Sequence, residues 1–411
     1  MHRSSRLVGL LKVILNAVIL LFVGLVAAIL VTGGFSFTLV GVPVRAHHLV
    51  GPLLLLTAVV VIRAALALPP KNLAAAALGV ALTLLVLEGV LRWWYPTGAW
   101  PVLRLYYRAT PEIGYELIPG VAGTGSFGEA IVINSHGLRD VERPWAKPSG
   151  VTRILALGDS FTFGMKVEAA ASYPKALEAL LNRSGDGRRY DVINAGVVAY
   201  SLCQERKWLE RAGWRYEPDL VLVGFFGDDP HCQGEEAGRR FRKPRVYRSF
   251  TQVSALYSFL RNSYNIVKAR YLERWRPAWT GGLAARARFL ERNGFTNIQE
   301  EEWGEVAKDL TAIQAGAAHR GTGLLVVVIP DAGQVGFPAL QSPTRRLLDI
   351  CKAEGIACID TTPRFEAAPN PLELYLYPLD AHPSPAGHAL LARTIAERLA
   401  DGDLLPNAPS R

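Results

Sequence analysis

The chain has 411 residues, half of them apolar, with 45 Lys and Arg against 36 Asp and Glu and a positive mean hydropathy. Charged residues make up only 20%, below the roughly 25% of soluble domains, and the shortfall falls in the first hundred positions, which argues against an ordinary cytosolic enzyme. Four cysteines, Cys203, Cys232, Cys351 and Cys358, none in a C-x-x-C pair, exclude a disulfide scaffold and disfavour a zinc site.

Three apolar runs open the chain, Leu7–Val31, Leu49–Leu68 and Leu73–Val90, each near the ~20 residues that cross a bilayer as helix. Lys12 and Asn16 interrupt the first, Arg63 lies near the end of the second and Glu88 near the end of the third, where long side chains reach the interface. Arg3 and Arg6 resemble the start of a signal peptide, but the apolar run is about twice the usual length for one and two more runs follow. The expectation is an anchor of three transmembrane helices over residues 1–91. Arg3, Arg6, Lys12, Arg63 and Lys71 stand on one side against Arg45, Arg92, Arg104 and Arg108 on the other. That bias sets the amino terminus in the cytoplasm and everything after residue 91 outside it, with Trp93, Trp94 and Tyr95 as the outer aromatic anchor.

Residues 92–150 combine turn-formers with two short apolar pieces, Gly114–Pro119 and Ile131–Asn134, and predict a compact lead-in segment with one or two strands. From Arg153 onward, runs at Ile154–Leu157, Val192–Asn194, Leu220–Phe225, Leu324–Ile329 and Ile356–Ile359 alternate with helical stretches long enough for crossovers. Strands apolar throughout are buried on both faces, so residues 151–405 predict an α/β domain with a parallel sheet between helices. In such sheets the loops at the strands' carboxyl ends make the site. A basic helical insert at about 233–300 breaks the alternation. Residues 239–276 hold eleven Lys and Arg and one acid, Glu273, which leaves the rest of the chain close to neutral. Val253, Leu256, Leu260, Tyr264, Val267 and Tyr271 recur there at helical spacing. A solvated helix face is the plain reading, and contact with anionic lipid headgroups or an acidic polymer the sharper one. Nucleic acid is not an expected partner of an extracytoplasmic domain.

The first strand of that domain runs into Gly158-Asp-Ser-Phe-Thr-Phe-Gly164, with a serine where a buried strand turns into a helix. Its hydroxyl would be exposed at the sheet's edge, beside N–H groups that face a developing oxyanion. Equally, Asp159 or Ser160 would cap the helix with no chemistry at all. Near the carboxyl end, Leu379-Asp-Ala-His-Pro-Ser-Pro-Ala-Gly-His388 shifts the balance. A serine hydroxyl needs an imidazole to take its proton and a carboxylate to hold that ring, and Asp380 and His382 supply both within three residues. His388 has no partner at that spacing and reads as structural.

These blocks resemble the SGNH, or GDSL-like, hydrolase family across residues 151–400. The resemblance implies a three-layer α/β/α, flavodoxin-like fold and a serine esterase site. In it Ser160 of Gly158-Asp-Ser160 attacks the ester carbonyl, His382 serves as base and then acid, and Asp380 orients the ring. The N–H groups of Ser160 and of Gly196, in Asn194-Ala-Gly196, stabilise the oxyanion. Asp380-Ala-His382 has one residue between acid and base where two are more frequent. The larger departure is Phe226-Gly-Asp-Asp229, where Asp228 stands at the position of the family's oxyanion-donating asparagine. An ionised carboxylate has no proton to donate, and losing one such donor costs about 10²–10³ in rate. Either burial beside Asp229 keeps Asp228 protonated, or another donor replaces it, or the domain is a weak catalyst. Cys203 and Cys232 follow the second and third blocks at one edge of the sheet and read either as a bridge in an oxidising compartment or as two unpaired thiols, while Cys351 and Cys358 flank a helix-to-strand turn as a second candidate pair. Asn134-Ser-His-Gly-Leu-Arg139 resembles a segment that membrane-linked members of the family place before the nucleophile strand, and its Arg139 reads as pairing with an acidic site loop or, more plainly, capping the lead-in segment.

The expectation is a membrane-anchored serine esterase, or an O-acyltransferase as the resemblance to alginate O-acetyltransferase-type relatives allows. It would hydrolyse or transfer acyl groups, acetyl foremost, on an extracytoplasmic carbohydrate or lipid ester, with membrane lipid and an acylated polysaccharide as partners and no metal or cofactor. The alternative is a catalytically impaired membrane protein that uses the same fold to bind a glycan or a partner, with Asp228 as the trace of lost activity.

Overall fold

The computed structural model describes residues 2–32, 35–39, 42–46, 50–65, 69–94, 106–125, 129–185, 187–227, 230, 254, 256, 282–376, 380–402 and 404–405. The chain divides into two compact units, Met1–Val90 and Leu91–Arg411. The first holds α1 (His2–Thr32), an antiparallel hairpin of β1 (Phe35–Leu39) and β2 (Val42–Ala46), α2 (Val50–Ala65) and most of α3 (Pro70–Trp94). The hairpin joins two helices whose polar interruptions meet, Arg63 Nε donating to Asn16 Oδ1 at 2.9 Å.

Among the described residues no helix is long and apolar enough to cross a membrane, which corrects the expectation of three spanning helices. At 16 residues, α2 reaches about 24 Å, short of the ~30 Å hydrocarbon core. In α1 the apolar run is cut by Lys12 and Asn16, and in α3 by Glu88 and Arg92.

The second unit begins with two antiparallel hairpins, β3 (Tyr107–Thr110) with β4 (Gly114–Leu117) and β5 (Ala122–Thr124) with β6 (Ala130–Val132). The main sheet follows as β7 (Val151–Gly158), β8 (Arg189–Asn194), β9 (Leu220–Phe225), β10 (Gly323–Val328) and β11 (Ala357–Asp360), all parallel, in the spatial order β11-β10-β9-β7-β8. Counted within the sheet this is 2-1-3-4-5, the flavodoxin-like order. Its helices are α4 (Ser160–Phe163), α5 (Tyr173–Leu181), α6 (Leu202–Arg211), α7 (Gly282–Arg292), α8 (Glu300–Ala318), α9 (Ser342–Ala353), α10 (Thr362–Glu366) and α11 (Pro385–Leu399).

Side chains of a strand alternate between faces, so each apolar run feeds two cores. Leu155, Leu157, Val221, Val223 and Val326 pack on Leu209 of α6, Leu310 of α8 and Leu347 of α9. Ile154, Ala156, Leu222, Leu325 and Val327 pack on Leu177 of α5 and Leu391 and Ile395 of α11. The lead-in hairpins add Tyr115, Leu117, Ile131 and Ile133 to the first core, so they belong to the same packed body. The order of the sheet reverses between β7 and β8 on one side and β9 on the other, and the crevice at their carboxyl ends is where such folds bind ligands. Of the basic insert, the part before residue 282 lies outside the described residues apart from Ser254 and Leu256.

Candidate active site

Gly158 ends β7 against the next turn and against β9. A β-carbon there would lie 2.0 Å from Thr162 Oγ1 and 3.0 Å from the carbonyl oxygen of Gly224, so the strand enters α4 through a residue with no side chain. Asp159 is the cap of α4, its carboxylate accepting from Phe161 N at 2.8 Å. That leaves the Ser160 hydroxyl for another partner. His382 Nε2 lies 2.7 Å from Ser160 Oγ.

His382 comes from the loop before α11. Leu376 N donates to the carbonyl of His382 at 2.9 Å, and Tyr375 bridges Pro383, which holds the loop against the short helix at residues 371–374. Asp380 Oδ1 accepts both from His382 Nδ1 and, at 3.0 Å, from the His382 backbone N. One intervening residue therefore suffices, because the same oxygen serves ring and backbone. The second oxygen of Asp380 accepts from Lys166 Nζ, a contact with no signal in the local sequence pattern. Burial pushes the His382 imidazole down to about 4, with Asp159 opposing and Lys166 adding to the fall. The ring is neutral at pH 7, the state a general base needs.

Ser160 and His382 open into a cavity of about 250 Å³, walled by Phe161, Met165, Ala199, Phe226 and an Arg286–Asp331 pair among others. Arg286, on α7, donates to both oxygens of the fully buried Asp331 at 2.9 and 2.6 Å.

The loop after β8 differs from expectation. Gly196 donates its N–H to Asn194 Oδ1 at 3.0 Å, and a β-carbon on it would sit 2.3 Å from Phe163 N. This corrects its assignment as an oxyanion donor: Gly196 packs beneath α4, with its N–H already engaged. Val198, Ala199, Tyr200 and Ser201 of this loop line the cavity, and Ala199 is held at a φ of 61°. A left-handed alanine costs about 1–2 kcal/mol, and its N–H finds no acceptor among the described residues. In the sequence an alanine carries no mark of that conformation. Asp228 and Asp229 lie outside the described residues.

Cys203 is disulfide-bonded, while Cys232 lies outside the described residues. Cys351, on α9, and Cys358, on β11, are both free where a bridge was a candidate. His388 is fully buried, and its Nδ1 accepts from Tyr173 N, the first amide of α5, at 3.2 Å. Arg139 does not pair with an acidic loop. It ties the lead-in segment, through the carbonyl oxygen of Ala130 at 2.7 Å, to the turn after α4, where it binds three more backbone oxygens.

The model of the GDSL-like lipase/acylhydrolase family matches residues 156–390. Solved structures similar to the chain include TesA, with 13% identity over 61% of this chain and 99% of that one and a TM-score of 0.38. A lipase/acylhydrolase from Enterococcus faecalis shows 15% identity over 62% and 98%, with a TM-score of 0.37. Axe2, an acetylxylan esterase from Geobacillus stearothermophilus, shows 14% over 60% and 94%, with a TM-score of 0.36. No curated protein matches.

Proposed function

The chain belongs to the GDSL-like lipase/acylhydrolase family, and from that membership we propose that it is a serine esterase working through Ser160, His382 and Asp380. The observation that carries this reading is the 2.7 Å contact of Ser160 Oγ with His382 Nε2, in a ring whose other nitrogen is held by Asp380. Ser160 Oγ attacks the ester carbonyl as His382 takes its proton. The oxyanion forms beside the N–H groups of Ser160 and Ala199 in the cavity, donors fixed before the reaction begins. His382 then protonates the departing alcohol, leaving an acyl-serine. Water attacks that intermediate in an esterase, and a sugar hydroxyl in an O-acyltransferase, with the same base. The small cavity favours a short acyl group such as acetyl on a larger carbohydrate or lipid carrier that remains outside.

A fluorophosphonate probe should label the wild-type protein and leave Ser160→Ala unlabelled. Folded wild-type protein that takes no label would favour a glycan- or partner-binding module. Products from a chromogenic acetyl ester, with and without added polysaccharide, separate hydrolysis from transfer.

The first unit we read as a membrane anchor. Leu20 and Leu21 of α1 and Leu85 of α3 are about 70% exposed. Large apolar side chains left open along the described parts of these helices mark a surface that water does not cover. The Asn16–Arg63 hydrogen bond supports the same reading, because polar groups within a bilayer are found in pairs. Full-length protein should sediment with membranes, stay bound in high salt and be released by detergent. Protein that remains in the supernatant without detergent would reject the anchor.

A further inference from the structure

The segment Asn134-Ser-His-Gly-Leu-Arg139 takes no part in the acyl chemistry, yet its arginine reaches the site from behind. Arg139 is 1% exposed. Its guanidinium donates to the backbone oxygens of Phe163 at 3.1 Å, Gly164 at 2.6 Å, Val167 at 2.8 Å and Ala130 at 2.7 Å. A rigid fork with four carbonyl acceptors fixes the turn that follows α4. That turn carries Lys166 at a φ of 68°, a conformation a lysine keeps only where its surroundings impose it. From there the side chain, itself mostly buried, extends to Asp380, 214 residues along the chain.

We propose that Lys166 is a positioning residue of the hydrolytic site, its ammonium holding the second oxygen of Asp380 while the first holds His382. This rests on the serine esterase reading above. The lysine does two things at once. It restrains the carboxylate on the side away from the ring, so that Asp380 Oδ1 stays aligned with both N–H groups of His382. It also shares the charge of Asp380, so that the carboxylate stabilises the imidazolium less.

The charges around the ring give the sign. Asp380 holds Nδ1 of the ring. Asp159 and Asp331 favour the imidazolium, Lys166 and Arg286 disfavour it, and burial is the largest influence. Arg286 is matched by its own partner, Asp331. Lys166 is itself lowered by burial, with Glu129 opposing, and Arg139 is lowered by burial, with Glu129 and Glu168 opposing. The neighbouring His388 is pushed down to about 3, by burial first and then by His382 and Arg139, and stays neutral wherever the enzyme works. Removing the Lys166 charge therefore raises the pH at which His382 gives up its proton.

The test is the pH profile of kcat/KM for a chromogenic acetyl ester with the full-length protein. Wild-type activity should fall on the acid side near pH 4. In Lys166→Met that limb should move up by about one pH unit, with an unchanged circular dichroism spectrum, and Lys166→Arg should restore it most of the way. Lys166→Gln, of similar reach and no charge, should behave as the methionine variant does. An active Lys166→Met or Lys166→Gln protein whose acid limb has not moved overturns the proposal and leaves the esterase reading intact. Wild-type protein that neither turns over the ester nor takes a fluorophosphonate label overturns both.

Discussion

His382→Ala is expected to lower kcat/KM for an acetyl ester by about 10⁴-fold or more, and a second substitution, Ser160→Ala, to lower it scarcely further. The two groups form one device. Ser160 Oγ is 2.7 Å from His382 Nε2, and without the imidazole the hydroxyl has no group to take its proton, while Asp159, at 3.4 Å, is committed to capping α4. Either loss thus disables the same step, and what remains comes from the N–H groups around the oxyanion. Asp380→Asn should fall nearly as far, because an amide that turns its NH₂ toward Nδ1 selects the wrong tautomer of the ring. The measurement is a double-mutant cycle on kcat/KM. Single losses that multiply in the double variant would mean that serine and histidine act in separate steps, and would end the proposed mechanism.

How much of this was legible in the sequence depends on whether the signal is local. Five parallel strands stand where five apolar runs were read, because burial on both faces writes itself into consecutive residues. Ser160 and the Asp380–His382 pair were readable for a related reason: a strand-to-helix turn and a helix entry confine polar residues to few positions, and the family blocks mark both. The loop after β8 was misread at Gly196, since a glycine there signals close approach and the approach is to Phe163 and not to a substrate. Ala199 and Lys166 adopt left-handed backbone with ordinary side chains, which no composition rule singles out. The hold of Arg139 on the turn after α4 was not legible because its acceptors are carbonyl oxygens, which every residue has, and only the folded turn gathers three of them round one guanidinium. The first unit shows the opposite limit. Its apolar runs announce helices plainly, yet the hairpin of β1 and β2 between two of them lies in a stretch from which no strand was read.

Gly196→Ala is the second substitution with a large expected effect, and it separates packing from catalysis. The added methyl would stand 2.3 Å from Phe163 N and 2.7 Å from the carbonyl carbon of Thr162. Both are backbone atoms of α4, so no side chain can swing aside to relieve the overlap. Overpacking of this kind costs about 1–3 kcal/mol, and the strain is relieved by moving the helix on which Ser160 sits. A displacement of about 1 Å at a nucleophile is enough to lower turnover by about 10²-fold. Gly304, inside α8, provides the contrast. Nothing lies within 4 Å of its would-be β-carbon, so Gly304→Ala should stabilise the protein by about 0.5–1 kcal/mol through helix propensity and leave turnover alone. Thermal melts and ester kinetics on the two variants should therefore move apart, one losing stability and activity together and the other gaining stability alone. A Gly196→Ala protein with wild-type melting and wild-type turnover would show that the loop after β8 does not press on α4, and Gly196 would return to consideration as a residue facing the substrate.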